Sequence, residues 1–251
     1  MKIFAISNQK GGVGKTTTSV NLASALAAKK RRVLLIDLDP QGNATSAVGI
    51  LKKEAQKTIY DVLIKKINLQ EAIFSAEDDK FDVVAANQSL AGAEVELVDF
   101  EKREFILKEQ INQLNKYDFV LIDCPPALSL LTVNALVAAH SVIIPMQCEY
   151  FALEGLSDLV DTIKKVKRNL NPDIEIEGLL RTLYDKRNTL TRQVSDQLAA
   201  HFGRKVYDTI IPRNVRLAEA PSYGQSVISY DRSSKGAKAY LQLADEILLG
   251  N

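Results

Sequence analysis

The run NQKGGVGKTT at residues 8–17 decides how the first forty residues must be arranged. Gly14, Lys15 and Thr16 fit the end of the spacing G-x-x-x-x-G-K-[ST]. In that spacing the backbone N–H groups of a glycine-rich turn join a helix N-terminus to form a concavity for phosphate oxygens. Such a turn needs a strand before it and a helix after it. KIFAIS, residues 2–7, is apolar enough for a buried strand. In the following TTTSVNLASALAAKK, Val20, Leu22, Ala23, Leu26 and Ala27 supply a helix stripe, and residues 29–32 end it in positive charge. RVLLID, residues 32–37, is the near-continuous apolar run of a parallel strand covered on both faces. Together these make a βαβ unit with its loop at the phosphate end. One position departs from the spacing: Gln9 stands where the first glycine belongs, and Lys10 follows it.

The alternation continues down the chain. Apolar runs predict strands at 81–86, 117–126, 141–146, 175–184 and 206–212, the second stopping at the pair Pro125 and Pro126. Helical periodicity falls at 101–116, 127–139, 154–170, 189–202 and 234–249. The least periodic parts, 40–58, 87–100 and 213–233, read as mobile or binding loops. No internal repeat, low-complexity linker or compositional break divides residues 1–251, so one α/β domain is expected.

Bulk charge excludes little. Thirty-two Lys and Arg against thirty-one Asp and Glu leave +1, so any electrostatic footprint comes from local clustering. Cys124 and Cys148 are too few for a disulfide scaffold and belong to no metal-ligand spacing. The N-terminus has no secretory apolar region, and no stretch reaches the length of a membrane span. A cytoplasmic protein is the expectation.

Several side chains then carry candidate chemistry. Gly11, Gly12 and Gly14 keep Cβ atoms away from the phosphates, Lys15 reaches the β- and γ-phosphates, and Thr16 offers its hydroxyl to Mg²⁺. Asp123, after four apolar residues, is placed either to hold that metal, directly or through water, or to cap a turn. Asp37 and Asp39 end the second strand, where alternation puts them on one face; one acid suits the attacking water and the other Mg²⁺. Lys10 either faces solvent or reaches a neighbouring subunit, since two lysines five residues apart cannot easily serve the same phosphates from inside one loop.

Four segments in this order, KGGVGKTTTSVNLA, VLLIDLDPQGNAT, FVLIDCPP and IPRNVRLAEAPSYGQ, resemble the ParA/Soj family of chromosome- and plasmid-partitioning ATPases, a branch of the deviant Walker A group. The resemblance covers nearly the whole chain. It implies a P-loop NTPase fold: a mostly parallel, twisted β-sheet with helices on both faces. It also implies ATP and Mg²⁺ as cofactors. The nucleotide-binding residues it implies are Gly11, Gly12, Val13, Gly14, Lys15, Thr16 and Thr17, with Pro212, Arg213 and Asn214 near adenine and ribose. Thr16, Asp39 and Asp123 are the implied metal set. Lys10, Lys15 and Asp39 are the implied catalytic set, with Lys10 crossing an ATP-sandwich homodimer and Asp39 activating water.

The implied partners are non-specific double-stranded DNA and a ParB/Spo0J-like centromere-binding protein that stimulates slow hydrolysis, which places the protein on the nucleoid. Residues 181–216 carry eight basic against three acidic side chains, a bias suited to phosphate contacts. By resemblance Arg187 and Arg216 are the leading DNA contacts, with Lys186 and Arg192 secondary. No helix-turn-helix extension is expected ahead of the loop. The alternative is a MinD-like membrane-associated spatial regulator. It needs a basic amphipathic C-terminal helix, whereas here Leu241, Leu243, Ala244, Ile247 and Leu248 suit packing on the body, and Asp245 and Glu246 oppose anionic lipid. No stable membrane association is expected.

Overall fold

A computed structural model describes residues 1–76, 78–150 and 152–250. Each apolar run named above becomes a strand of one sheet. The strands are β1 (Lys2–Ile6), β2 (Val33–Asp37), β3 (Ile73–Ala76), β4 (Phe81–Val84), β5 (Phe119–Asp123), β6 (Ser141–Gln147), β7 (Glu175–Tyr184) and β8 (Val206–Pro212). Their order is β3-β4-β2-β5-β1-β6-β7-β8, and every pairing is parallel except β3 with β4. The helices are α1 (Lys15–Ala28), α2 (Asn43–Ala47), α3 (Ile59–Leu63), α4 (Leu90–Glu96), α5 (Ile106–Ile111), α6 (Leu130–Ala138), α7 (Ala152–Asn169), α8 (Thr189–Phe202), α9 (Val215–Glu219), α10 (Val227–Tyr230) and α11 (Lys235–Leu249).

Side-chain alternation divides each central strand between two cores. Ile3, Ala5, Leu34, Ile36, Val120 and Ile122 face one side, covered by α3 and α5–α8. Phe4, Ile6, Val33, Leu35, Phe119 and Leu121 face the other, covered by α1, α10 and α11. Every residue of β2 and β5 is buried, which is why both read as unbroken apolar runs. The fold is a single-domain, mostly parallel P-loop NTPase sheet with helices on both faces.

Four expectations need correction. The stripe assigned to α1 is too narrow: Thr18, Ser19, Asn21 and Ser24 are buried too, because the helix lies between the sheet and α11. Thr18 and Tyr240 share a buried hydroxyl contact of 3.1 Å across that seam. The helix expected at 101–116 is a 3₁₀ turn at Arg103–Phe105 followed by the short α5. Lys102 breaks it with φ +53°, and Asn134 caps α5 from outside, accepting from Leu107 N–H and donating to the Arg103 carbonyl. β3 escaped the sequence because it is a four-residue edge strand with only Ala76 buried. The weakly periodic segments 40–58, 87–100 and 213–233 hold α2, α4, α9 and α10, each too short to show a period. At the C-terminus the expected packing is found: Leu243, Ala244 and Ile247 are buried, and Leu241 and Leu248 lean on the same core. Among the described residues no helix is long and apolar enough to cross a membrane.

Candidate nucleotide site

Parallel register brings the site together. Asp123 pairs with Ile6 on one side and with Asp37 on the other, so β1, β2 and β5 end at one level. The glycine-rich loop leaves that level from β1. Gly12 and Gly14 adopt φ +73° and +85°, conformations that L side chains rarely tolerate, and these two positions let the turn close onto α1. Two side chains pin the loop to distant strands. Thr182 donates its hydroxyl to the Val13 carbonyl at 2.7 Å; Asn8 donates to the Pro145 carbonyl at 2.8 Å and accepts from Lys10 N–H at 3.0 Å.

Lys15 is buried and turns back over the loop, its ammonium donating to the Lys10 carbonyl at 3.0 Å. Burial lowers its pKa, and the charges of Asp123 and Asp39 oppose that shift. Thr16, one position on, donates its hydroxyl to Asp123 Oδ2 at 2.8 Å. Ser19, on the same helix face, donates to Asp123 Oδ1, also at 2.8 Å. Asp123 is wholly buried, and burial with the neighbouring Asp37 charge pushes its carboxyl well above the ordinary carboxylate range.

Asp37 and Asp39 have separate tasks. Asp37 is wholly buried, and its carboxylate is committed to protein donors: Thr45 N–H at 2.8 Å, Thr45 hydroxyl at 2.7 Å and Asp39 N–H at 3.2 Å. It anchors the turn after β2 and is not available to a water or a metal. Asp39 lies beyond the strand end, accepts from Gln41 N–H at 2.9 Å through Oδ1, and keeps Oδ2 without a partner among the described residues. Gly42 fixes the same turn: a Cβ there would stand 2.6 Å from the Ala86 carbonyl oxygen, and its φ is +59°. Gly42→Ala is therefore expected to lower stability by roughly 2 kcal/mol and the melting temperature by about 5 °C, read by calorimetry.

These oxygens suit a hard divalent cation arriving with a triphosphate. Mg²⁺ in such sites takes one or two protein oxygens and completes its shell with phosphate oxygens and water. Thr16 and Asp123 present that pair in contact, and the surplus of buried carboxylate charge at the ends of β2 and β5 favours an added cation.

A family model described as an AAA domain matches residues 1–176. The chain is 57% identical to an uncharacterized protein of Pseudomonas putida, over 98% of this chain and 94% of that one. It is 52% identical to the sporulation initiation inhibitor protein Soj of Bacillus subtilis, over 98% of each. The chain belongs to the ParA/Soj family of chromosome-partitioning ATPases. A ParA/Soj chain should superpose on nucleotide-bound relatives, and this one does. The crystal structure of cobyrinic acid a,c-diamide synthase from Mycobacterium smegmatis, with bound ATP analog and magnesium, is 38% identical with a TM-score of 0.87, over 99% of this chain and 94% of that one.

Within this ParA/Soj chain the two loop lysines diverge. Lys10 does not enter the loop: its ammonium, half exposed, pairs with Glu149 at 2.6 Å. Pro212 ends β8, Arg213 N–H donates to the Tyr184 carbonyl, and Asn214 caps α9 by accepting from Leu217 N–H at 3.3 Å. The basic run 181–216 does not form one patch. Arg204 and Lys205 precede β8, at the opposite end of the strands from the loop. Arg181 spends its guanidinium on the Ser195 hydroxyl and the Tyr207 carbonyl. Lys186, Arg187, Arg192, Arg213 and Arg216 remain near the loop end, following β7 and β8. Arg187 is paired with Asp185 at 2.7 Å, and Arg216 with Glu219 at 2.8 Å and Asp231 at 3.4 Å. Both cysteines are buried and free, and burial raises both thiols, Cys148 to about 11.

Proposed function

We propose that this chain is a Mg²⁺-dependent ATPase that closes face to face with a second copy when ATP is bound and holds double-stranded DNA in that state without reading its sequence. Hydrolysis, stimulated by a ParB/Spo0J-like partner, returns it to single subunits. The observation that carries this reading is the division between two lysines. Lys15 fills its own loop, whereas Lys10 stands beside it on the surface with its ammonium on Glu149. A cation beside the loop serves a phosphate that comes from outside, and a second copy brings one through two-fold symmetry.

In the closed pair the parts divide the work. The N–H groups of residues 11–17 cradle the phosphates, and Lys15 and the partner copy's equivalent of Lys10 stabilise charge on the transferring phosphoryl group. Thr16 and Asp123 hold the metal; Mg²⁺, when bound, neutralises phosphate charge. Asp39 orients the attacking water through its free oxygen and supports the metal through water. Pro212, Arg213 and the Asn214 amide border adenine and ribose. For DNA, Arg187 and Arg216 lead, with Lys186 and Arg192 beside them. Exposed ion pairs such as Arg187 with Asp185 contribute little, so phosphate displaces the acid readily. Duplication of two weak patches makes retention depend on the dimer, and the dimer on ATP. The protein then sits on the nucleoid; Leu243, Ala244 and Ile247 of α11 are spent on the core, with Leu241 and Leu248 packed against it.

Filter binding of a random-sequence duplex over a salt series tests the DNA arm. With ATP, Arg187→Ala and Arg216→Ala are each expected to weaken retention and to lower the salt slope by about one for each phosphate that the missing guanidinium neutralised. Unchanged slopes in both would remove these arginines from the interface.

A further inference from the structure

The parallel register that gathers acids at the loop end of the sheet gathers cations at the other end. Val33 of β2 and Lys2 of β1 both pair with Phe119 of β5, so these three strands start at one level, opposite the loop. Neighbouring strands lie about 4.8 Å apart, which makes their starts a row about 10 Å long. Six cations stand on it: Lys2, the run Lys29, Lys30, Arg31 and Arg32 between α1 and β2, and Lys116 ahead of β5. Three are paired, Lys29 with Asp245 at 2.6 Å, Arg32 with Asp118 at 3.3 Å and Lys116 with Asp82 at 3.0 Å. Lys2, Lys30 and Arg31 are exposed and make no ion pair or side-chain hydrogen bond among the described residues. The N–H and guanidinium of Arg32, with the charge of Arg31 behind them, hold the Asp118 carboxyl below its ordinary range, which places both arginines at one acid. The row ends on the β4 side at Asp78 and Asp79, and on the β6 side at His140, which has Asp173 nearby. A helix C-terminus favours cations, which accounts for Lys29 and Lys30 after α1. It does not account for Lys2, Arg31 or Lys116.

We infer that this row is a second site for double-stranded DNA, engaged through phosphates alone, by which a pair already held on one duplex grips another. The chemistry selects a nucleic-acid backbone. A protein interface needs an apolar or aromatic core, and a membrane surface needs apolar side chains to bury. Among the described residues Met1, 45% exposed, is the one large apolar side chain left in water on these strand starts. Phosphate oxygens ask only for cations, and exposed pairs such as Lys116 with Asp82 yield to them at little cost. The inference goes beyond the function proposed above and rests on it only for the first duplex. In that proposed pair the loop ends meet, so the two rows point outward from its far ends. One row with three unpaired cations is too weak to hold a duplex alone; many pairs lined along one duplex present many rows to the next.

The test lines a bead-bound random-sequence duplex with the full chain and ATP, then measures capture of a second, fluorescent duplex per protein retained. Wild type should capture it. Lys30→Glu/Arg31→Glu should hold the first duplex within about twofold of wild type and lose capture of the second by about tenfold or more. Lys30→Gln/Arg31→Gln should fall between them, and unchanged melting temperatures report that both variants keep the fold. Beads coated densely with nucleotide-free chain, tethered by a flexible terminal tag, read the row without the pair; wild type should again capture duplex better than the charge-reversed variant. Equal capture on the coated beads, or wild type lined on the first duplex that takes up no second, would overturn the second site and leave the ATPase reading intact. Failure of wild type to hold the first duplex with ATP would instead count against the partitioning reading, and the coated beads would still decide the row. Vesicles of equimolar phosphatidylglycerol and phosphatidylcholine that bind wild type but not the reversed variant, with duplex capture equal in both, would reassign the row to a membrane surface.

Discussion

Lys15→Ala is expected to lose tight nucleotide binding while keeping its fold. Among the described residues the ammonium is the one cation inside the loop, buried and held over it by the Lys10 carbonyl at 3.0 Å. Removing one partner of a desolvated charge pair costs roughly 3–5 kcal/mol, or about a hundred- to several-thousand-fold in Kd. The fold should not depend on it. Burial disfavours this charge, and its one hydrogen bond is to a backbone carbonyl of the same loop. Titration calorimetry with ATP and Mg²⁺ reads the affinity, and a melting temperature near that of wild type separates weakened ligand binding from unfolding. Retained affinity within a few-fold would show that the loop N–H groups bind the phosphates without this cation.

Asp39→Ala is expected to bind ATP, form the dimer and stop there. A group that orients the attacking nucleophile contributes about 10²–10⁴ in rate, so turnover should fall by roughly a hundred-fold or more. Binding should survive, because the atoms on the phosphate side belong to the loop, Lys15, Thr16 and Asp123. Asp39→Asn keeps the oxygen that accepts from Gln41 N–H at 2.9 Å, so it tests the charge without releasing the turn. Slow turnover in both variants with unchanged ATP affinity assigns Asp39 to the water. A matching loss of Mg²⁺-dependent affinity would make support of the metal its main task.

The strands and the βαβ start were legible because buried parallel strands need unbroken apolar runs, and the loop sits where such a unit must place it. What local sequence could not show was long-range pairing. Ser19 had a visible signal, standing one helical turn beyond Thr16 and so facing the same acid. Thr45, Asn8 and Thr182 had none, since their partners lie on other strands or turns. Alternation placed Asp37 and Asp39 together, but it could not reveal that Thr45 consumes Asp37. The basic run 181–216 escapes a linear reading for the same reason: it passes along α8 from the C-terminal ends of the strands to their N-terminal ends, and a linear count adds charges that never meet. Glu149, the partner of Lys10, is 139 residues away in the chain.

The most direct measurement is the mass, by light scattering, of Asp39→Ala and of Lys10→Ala/Asp39→Ala, each with ATP, Mg²⁺ and duplex DNA. The hydrolysis-blocked single variant should double in mass with ATP and retain DNA. The double variant should remain one subunit and release it. A double variant that dimerises fully would contradict the claim that each copy lends Lys10 to the other.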